Sequence, residues 1–332
     1  LPSISHHGIT LCYQTDGDPG GTPLLLIMGL GMQLTSWPES LIAPLVQQGY
    51  YLIRFDNRDA GLSSKLDHHG KPNIAMALIK NLLRIRLKAP YLLRDMAGDA
   101  LAVLDALNVE QAHVVGVSMG GMIAQILAAD HPQRVKSLTS IMSTSGRRGL
   151  PGPTRRVRNM LLQRPRDAQQ VIDHFIRTFQ TIGSPGYPTP EPLMRSRVQA
   201  NLNRASSPNG TLRQMLAIGA SGNRVRELRA ITRPTLVIHG AHDPLVPLAC
   251  GEDTARHVSG AVLRVIDGMG HDLPDALMPV IASMIDAHCK GRDIAHAAQL
   301  LASGAEPNST QNTTQNTLQN TAHSGVQSAG PA

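Results

Sequence analysis

Gly116-Val117-Ser118-Met119-Gly120 places a serine between two glycines, with an apolar β-branched run before it (His113 to Val117) and an apolar stretch after it (Met119 to Ala129). The first run reads as a buried strand and the second as a buried helix. A serine at the sharp turn between them is forced into a strained backbone conformation that exposes its hydroxyl. The flanking glycines let strand and helix pass close together. This is a nucleophile elbow, and the chemistry it suits is acyl transfer through a covalent intermediate. A glycine-rich strand-to-helix turn with an incidental serine is the alternative, and the strand–turn–helix context argues against it.

A serine hydroxyl is a weak nucleophile. It needs a base within hydrogen-bond reach and a third group to orient that base. In sheets built around such an elbow the partners follow in the order Ser, then Asp or Glu, then His. The chain offers that order. Asp243 lies just after the strand-like run that ends at Gly240, and His271 just after the next one, in Asp267-Gly268-Met269-Gly270-His271-Asp272. Both fall where parallel strands deliver their carboxyl ends, the edge on which ligands and catalysts collect in open α/β sheets. With 14 histidines in the chain, position along the elements has to choose among them. His6, His7, His68 and His69 fall in loop-like pairs. His239 belongs to a buried strand and reads as a satisfied neighbour of the site. His242 adjoins Asp243 too closely for the two to form the pair. Asp272 is likewise too close in sequence to His271 to orient its ring, and Asp267 is second choice for the acid.

The elements that must position these residues alternate. Strand signals at Ile9 to Gln14, Pro23 to Met28, Tyr50 to Asp56, His113 to Val117 and Lys136 to Ser143 are interleaved with helical spacing, as in Asp95 to Leu107. Continuous apolar strands of this kind predict a mostly parallel central sheet with helices on both faces. Residues 146–224 break the rhythm with Arg, Pro, Gln and Met, and predict four helices (near 154–163, 168–180, 192–204 and 211–220) inserted as a cap. Its leucines and methionines would suit apolar acyl groups, although packing alone would also call for them. Strands return at Pro234 to Gly240 and Ala261 to Ile266, followed by a helix from Asp275 to Cys289. The expected division is an α/β core of residues 1–145 and 225–302, a helical cap of 146–224, and a disordered polar tail of 303–332. The tail is marked by a degenerate four-residue repeat (Thr310-Gln311-Asn312-Thr313 and its two successors) that lacks core-forming residues. Its sequons at Asn308 and Asn312 matter only in a glycosylating pathway.

Composition narrows the classes. Of 332 residues, 42% are hydrophobic and 17% charged, enough for a large core and too apolar for wholesale disorder. Aromatics are 3%, so aliphatic side chains and Met must fill core and pocket. The net charge of +7 comes from scattered Lys and Arg and reads as a solvated basic face, with no nucleic-acid motif beside it. Cys12, Cys250 and Cys289 have no metal, redox or disulfide-framework spacing. Cysteines this sparse make a reducing, cytoplasmic location the expectation, with secretion left open by a start at Leu1 that a trimmed N-terminus would explain; no run reaches membrane-spanning length. No G-x-G-x-x-G opens a helix after the first strand and no Cys/His ligand set exists, so neither cofactor nor metal is implied.

With these residues in hand, the chain resembles the α/β-hydrolase fold family over residues 8–290, on Gly116-Val117-Ser118-Met119-Gly120-Gly121, Asp243-Pro244-Leu245-Val246-Pro247 and Gly270-His271. Leu26-Ile27-Met28-Gly29-Leu30-Gly31 through Trp37-Pro38, followed by Arg54-Phe55-Asp56-Asn57-Arg58-Asp59, is similar to the branch of aclacinomycin methylesterase and related small esterases and lipases. Met28-Gly29 stands where the family commonly has His-Gly, and the His-Gly-Gly-Gly loop of hormone-sensitive-lipase-like esterases is missing. A serine at the elbow separates the chain from haloalkane dehalogenases and epoxide hydrolases, which use aspartate there.

The resemblance implies a serine carboxylic ester hydrolase acting on a small-molecule ester, with Ser118, Asp243 and His271 as the triad. It also implies the backbone N–H groups of Met119 and Leu30 as oxyanion donors. Arg54 to Ser63 reads as structural bracing beside the elbow. Other activities compatible with the same triad are a cofactor-free haloperoxidase or perhydrolase and a C–C bond hydrolase. A ligand sensor on this fold is the non-enzyme alternative. Oligomeric state and acyl preference are not legible.

Overall fold

A computed structural model describes residues 1–83, 85–161, 163 and 168–294. The expected polar tail at 303–332 lies outside the described residues. Eight strands form one sheet: β1 (Ser3–His6), β2 (Ile9–Asp16), β3 (Thr22–Ile27), β4 (Tyr50–Phe55), β5 (Ala112–Val117), β6 (Val135–Ile141), β7 (Thr235–Gly240) and β8 (Val262–Ile266). Their spatial order is β1-β2-β4-β3-β5-β6-β7-β8. The first two pairings are antiparallel and the rest parallel, so the sheet is mostly parallel as expected. β1 has no counterpart in the sequence reading. It is short, alternates between exposed and half-buried residues, and leaves too weak a hydrophobic pattern to register.

Eleven α-helices accompany the sheet among the described residues: α1 (Glu39–Gln47), α2 (Ile74–Leu82), α3 (Leu93–Ala106), α4 (Met119–Asp130), α5 (Arg155–Leu161), α6 (Ala168–Ile182), α7 (Glu191–Arg204), α8 (Pro208–Ser221), α9 (Val225–Ala230), α10 (Leu248–His257) and α11 (Met278–Cys289). Strands covered on both faces must be apolar on both faces, and β3 shows how one run serves two cores. Leu24 and Leu26 join Leu52, Val117, Ile238 and the apolar side of α1 and α11. Leu25 and Ile27 join Ile53, Val114 and the helices α3 and α4. Side chains alternate across a strand, so consecutive residues enter opposite cores.

The helices α5–α8 fall in the interval where sequence predicted an insertion, between β6 and β7. They contain small cores of their own. Ile172, Ile176, Met194 and Val198 pack together, and Val157, Met160 and Ile182 form a second cluster that reaches Leu245. The packing explanation for these aliphatic side chains is therefore sufficient for this set. Cys12, Cys250 and Cys289 are all free thiols. No described helix is long and apolar enough to cross a membrane, and the described residues hold no cluster of three or more potential metal ligands.

Buried histidines make the fold acid-sensitive. His113 on β5 is 8% exposed and hydrogen-bonded through Nδ1 with Ser137 Oγ at 2.8 Å. Burial, with the nearby Lys136 and His288, pushes its pKa down to about 4 from 6.5. Burial also lowers His288, whose Nε2 donates to Leu138 O at 3.1 Å. An unfolded chain binds protons at these sites before the folded one does. The neutral rings thus contribute their full stability above pH 6.5 and lose it as pH falls below that, for His113 down to about 4, by at most about 1.4 kcal/mol per pH unit for each ring. Urea unfolding measured across this window is expected to show stability falling below pH 6.5 and level above it. His113→Asn is expected to shallow that slope, whatever it does to absolute stability. An unchanged slope would assign the acid sensitivity elsewhere.

Candidate active site

β5 ends at Val117, and α4 begins at Met119, so Ser118 alone makes the turn. Its backbone sits at φ +54° and ψ −118°, outside the regions that a side chain tolerates comfortably. Two contacts hold it there. Its N–H donates to Ile141 O at 2.9 Å, and its carbonyl accepts from Ser143 Oγ at 2.8 Å. The glycines around it mark places where backbones meet. A Cβ on Gly116 would overlap Gly120 O, and one on Gly120 would overlap the carbonyls of Ile27 and Met28. A Cβ on Gly121 would come 2.7 Å from Ser143 Cβ. The start of α4 is thereby pressed onto the ends of β3, β5 and β6.

The three residues expected to act together do meet. His271 Nε2 lies 3.0 Å from Ser118 Oγ, and His271 Nδ1 lies 2.6 Å from Asp243 Oδ2. The Asp243 side chain has no solvent exposure. Its other oxygen, Oδ1, accepts the N–H groups of Leu245 at 2.9 Å and Val246 at 2.7 Å, so donors surround the carboxylate. Asp267, the second choice for the acid, is 95% exposed and faces His242 at 3.6 Å on the surface. Asp272 hydrogen-bonds Ser184 Oγ at 2.5 Å, and burial raises its pKa. His239 is only half satisfied: Nε2 donates to Val246 O at 2.8 Å, while Nδ1 has no partner.

Met28 to Gly31, the expected oxyanion loop, lies directly against the elbow. A Cβ on Gly29 would come 3.3 Å from Ser118 Cβ. The loop turns at Gly31, with φ +68°, closed by Met32 N–H to Gly29 O at 3.2 Å. This conformation favours glycine at the third turn position. Gly31 N–H is taken by Gln214 Oε1 at 2.8 Å. Among the described residues no protein partner takes the N–H of Leu30 or of Met119. Met119 opens α4, where the first N–H groups have no acceptor inside the helix and the helix dipole is positive. The segment from Arg54 to Ser63 braces this loop. Asn57 Nδ2 donates to Met28 O at 3.0 Å, and Asp56 accepts Leu34 N–H and Leu62 N–H, each at 2.8 Å.

Residues of the helical insertion that sequence reading did not single out also hold the site. Gln214 on α8 has no solvent exposure. Besides its bond to Gly31, its Nε2 donates to Arg58 O at 2.7 Å. Arg204 pairs with Asp56 at 2.8 Å, and Arg213 with Asp59 at 2.6 Å, both fully buried. On the opposite flank, His271 N–H donates to Ile182 O at 2.6 Å, and Gly270 N–H to Ser184 Oγ at 2.9 Å. No spacing rule links residue 214 to residue 31, so only the folded chain brings these together.

A family model for the alpha/beta hydrolase fold matches residues 22–275. The chain belongs to the α/β-hydrolase fold family. It is 31% identical over 311 residues to rhodomycin D methylesterase DauP of Streptomyces sp. (strain C5), covering 88% of this chain and 98% of that one. Rhodomycin D methylesterase DnrP of Streptomyces peucetius is 30% identical with the same coverage. These relatives agree with the resemblance to the methylesterase branch. A solved structure of a meta-cleavage product hydrolase from Pseudomonas fluorescens IP01 superimposes with a TM-score of 0.66 at 20% identity, covering 90% of this chain and 98% of that one. That likeness speaks for the fold alone. The chain is thus a hydrolase, with methylesterase relatives matching 88% of it.

The crowding at the elbow predicts two opposite outcomes for one substitution type. Gly120→Ala forces a methyl group into backbone carbonyls that cannot swing aside, and overpacking of this sort costs about 3 kcal/mol or more. Gly98→Ala in α3 meets no atom within 4 Å and removes helix-interior glycine entropy, so it is expected to stabilise by about 0.5–1 kcal/mol. Urea unfolding of the two variants beside the parent checks both signs.

Proposed function

We propose that the chain is a serine carboxylic ester hydrolase working through an acyl-enzyme on Ser118, and that its substrates include methyl esters. The observation that carries this reading is the continuous hydrogen-bonded line from Ser118 Oγ through His271 to Asp243, at 3.0 and 2.6 Å, set at an elbow of positive φ. The methylesterase relatives support the ester class.

In this mechanism Ser118 Oγ attacks the ester carbonyl while His271 Nε2 accepts its proton. Nδ1–H of the same ring donates to Asp243, which orients the ring and stabilises the imidazolium that forms. Oxyanion charge develops beside the N–H groups of Met119 and Leu30, both without a protein acceptor among the described residues. Gly31 N–H is already committed to Gln214, which favours Leu30 as the donor from that loop. The imidazolium returns its proton to the departing alkoxide, releasing the alcohol. Water then attacks the acyl-enzyme with His271 again as base, and Ser118 leaves reprotonated. The helices α5–α8 lie over this edge of the sheet as a cap in this reading.

Hydrolysis of p-nitrophenyl esters from acetate to palmitate, and of aromatic methyl esters, tests the class. The parent is expected to turn over many times. Ser118→Ala should lower kcat by about six orders of magnitude, and Asp243→Asn by about four. A parent that hydrolyses no ester while making peracid from acetate and peroxide, or cleaving dienoate C–C bonds, would replace the ester reading. Serine-independent turnover would remove Ser118 from it.

Gln214 supplies a finer test. Gln214→Met keeps the length and apolar bulk of the side chain but frees Gly31 N–H and Arg58 O. Loss of an oxyanion donor costs about 100- to 1,000-fold, and loosening one costs less. We expect kcat to fall about 10- to 100-fold with KM little changed. Gln214→Glu, which retains the acceptor for Gly31, should recover part of that loss. Equal losses in both variants would leave Gln214 a purely structural residue.

A further inference from the structure

Exposed large apolar side chains are concentrated in one place on the described surface. Met76, Ile79, Leu83 and Ile85 are 46%, 51%, 63% and 50% exposed, all within ten residues on α2 and just beyond it. Met76, Ile79 and Leu83 are spaced i, i+3 and i+7, the spacing of a single helix face. Leu83 still belongs to that face, since its N–H donates to Ile79 O at 2.9 Å. α2 packs against α8 on its other side. A stripe of this kind, left open to water, marks an interaction site.

Charge identifies what it would meet. Between Asp67 and Asp95 the chain has no acidic residue and six Lys or Arg. Lys80, Arg86 and Lys88 are exposed, and among the described residues none of the three has a carboxylate partner. An apolar helix face in a stretch of sequence with cations and no acidic residue is the pattern of a helix lying in the interface of an anionic lipid layer, its apolar residues below the headgroups and its cations among them. A second copy of this chain fits the surface poorly, because a two-fold contact would set the same cations against each other. Residues 295–332 fit it poorly as well, since Glu306 is their one acidic residue. Nine helical residues are too few to span a bilayer.

We propose that α2, Leu83 and residues 85–88 dock the protein on anionic lipid surfaces, with Met76, Ile79 and Leu83 inserted and Lys80, Arg86 and Lys88 on the headgroups. This proposal does not depend on the ester reading and can fail without it.

Co-sedimentation of the full chain with phosphatidylcholine vesicles, with and without about a third phosphatidylglycerol, tests it at low and near-physiological salt. Binding is expected to the anionic vesicles only and to weaken with salt. Lys80→Gln and Arg86→Gln should each weaken partition about fivefold, in line with the worth of one basic residue at an anionic surface. The double change Ile79→Ser and Leu83→Ser should weaken it at least tenfold. These side chains are exposed and remote in role from the serine line, so all variants should hydrolyse a soluble ester at the parent rate. If the parent turns over no ester, far-UV circular dichroism and thermal unfolding show instead that the variants are folded. Equal binding to neutral and anionic vesicles, no binding to either, or variants that bind as the parent does would overturn the proposal. So would sedimentation equilibrium showing a dimer that the Ile79→Ser and Leu83→Ser change dissolves, which would assign the stripe to self-association.

Discussion

The whole site depends on one close approach of backbones. The first turn of α4 is pressed against the carbonyl ends of β3, β5 and β6, at a distance that no Cβ at Gly116 or Gly120 could enter. Three consequences follow from that contact. Ser118 is held at positive φ, which lifts its hydroxyl clear of the sheet. The open N–H groups of α4 face the edge where the chain also delivers Asp243 and His271. The loop after β3 is brought against Ser118 itself, so that its backbone can share in binding a developing charge. Strain at Ser118 is tolerable because the surrounding contacts over-determine it: a strand on each side, and hydrogen bonds to both of its backbone groups.

The inserted helices are hydrogen-bonded to the site from two directions. Gln214 grips the loop after β3 at Gly31 and the segment after β4 at Arg58, and Arg213 and Arg204 anchor the latter segment through Asp59 and Asp56. Asp59 is itself at φ +68°. Burial opposes its ionisation, yet the hydrogen bonds from Arg213, Leu66 and Tyr91 win and hold its carboxyl below the usual range. At the far side, Ile182 and Ser184 hold the His271 loop. The insertion therefore connects the His271 side of the site to the loop after β3. A rearrangement of α6–α8 would be felt at both, which is a different arrangement from a lid that swings on two hinges over a finished site.

How much of this was legible in the amino-acid sequence follows from the range of each interaction. The elbow could be read because its chemistry is local: glycine where backbones touch, serine at the turn, apolar runs on either side. Asp243 and His271 could be read because the sheet is parallel, so positions just after consecutive strands converge on one edge. The alternation within Leu24 to Ile27 could be read as a two-faced strand. Gln214, Ser184 and Arg204 could not, because their meaning comes from contacts across 86 to 183 residues and their residue types are ordinary for helix surfaces. β1 escaped for the opposite reason. It is a half-exposed edge strand whose four residues Ser3-Ile4-Ser5-His6 hold too few apolar positions for a period to emerge.

His239 shows how the surroundings reserve the Asp243 carboxylate for one partner. Its Nε2 stands 3.7 Å from Asp243 Oδ2, near enough that a charged ring there would compete with His271 for the same oxygen. Burial, the largest effect on it, lowers its pKa, and Nε2–H is committed to Val246 O. The ring therefore stays neutral and turned to the backbone. Protonating it would place a second N–H donor at Nδ1, which has no acceptor and is hemmed in by Gly251, where a Cβ would overlap the ring. This second imidazole beside Asp243 is thus kept uncharged by its own packing. Asp243 then has two backbone N–H groups on Oδ1 and one ring, that of His271, on Oδ2.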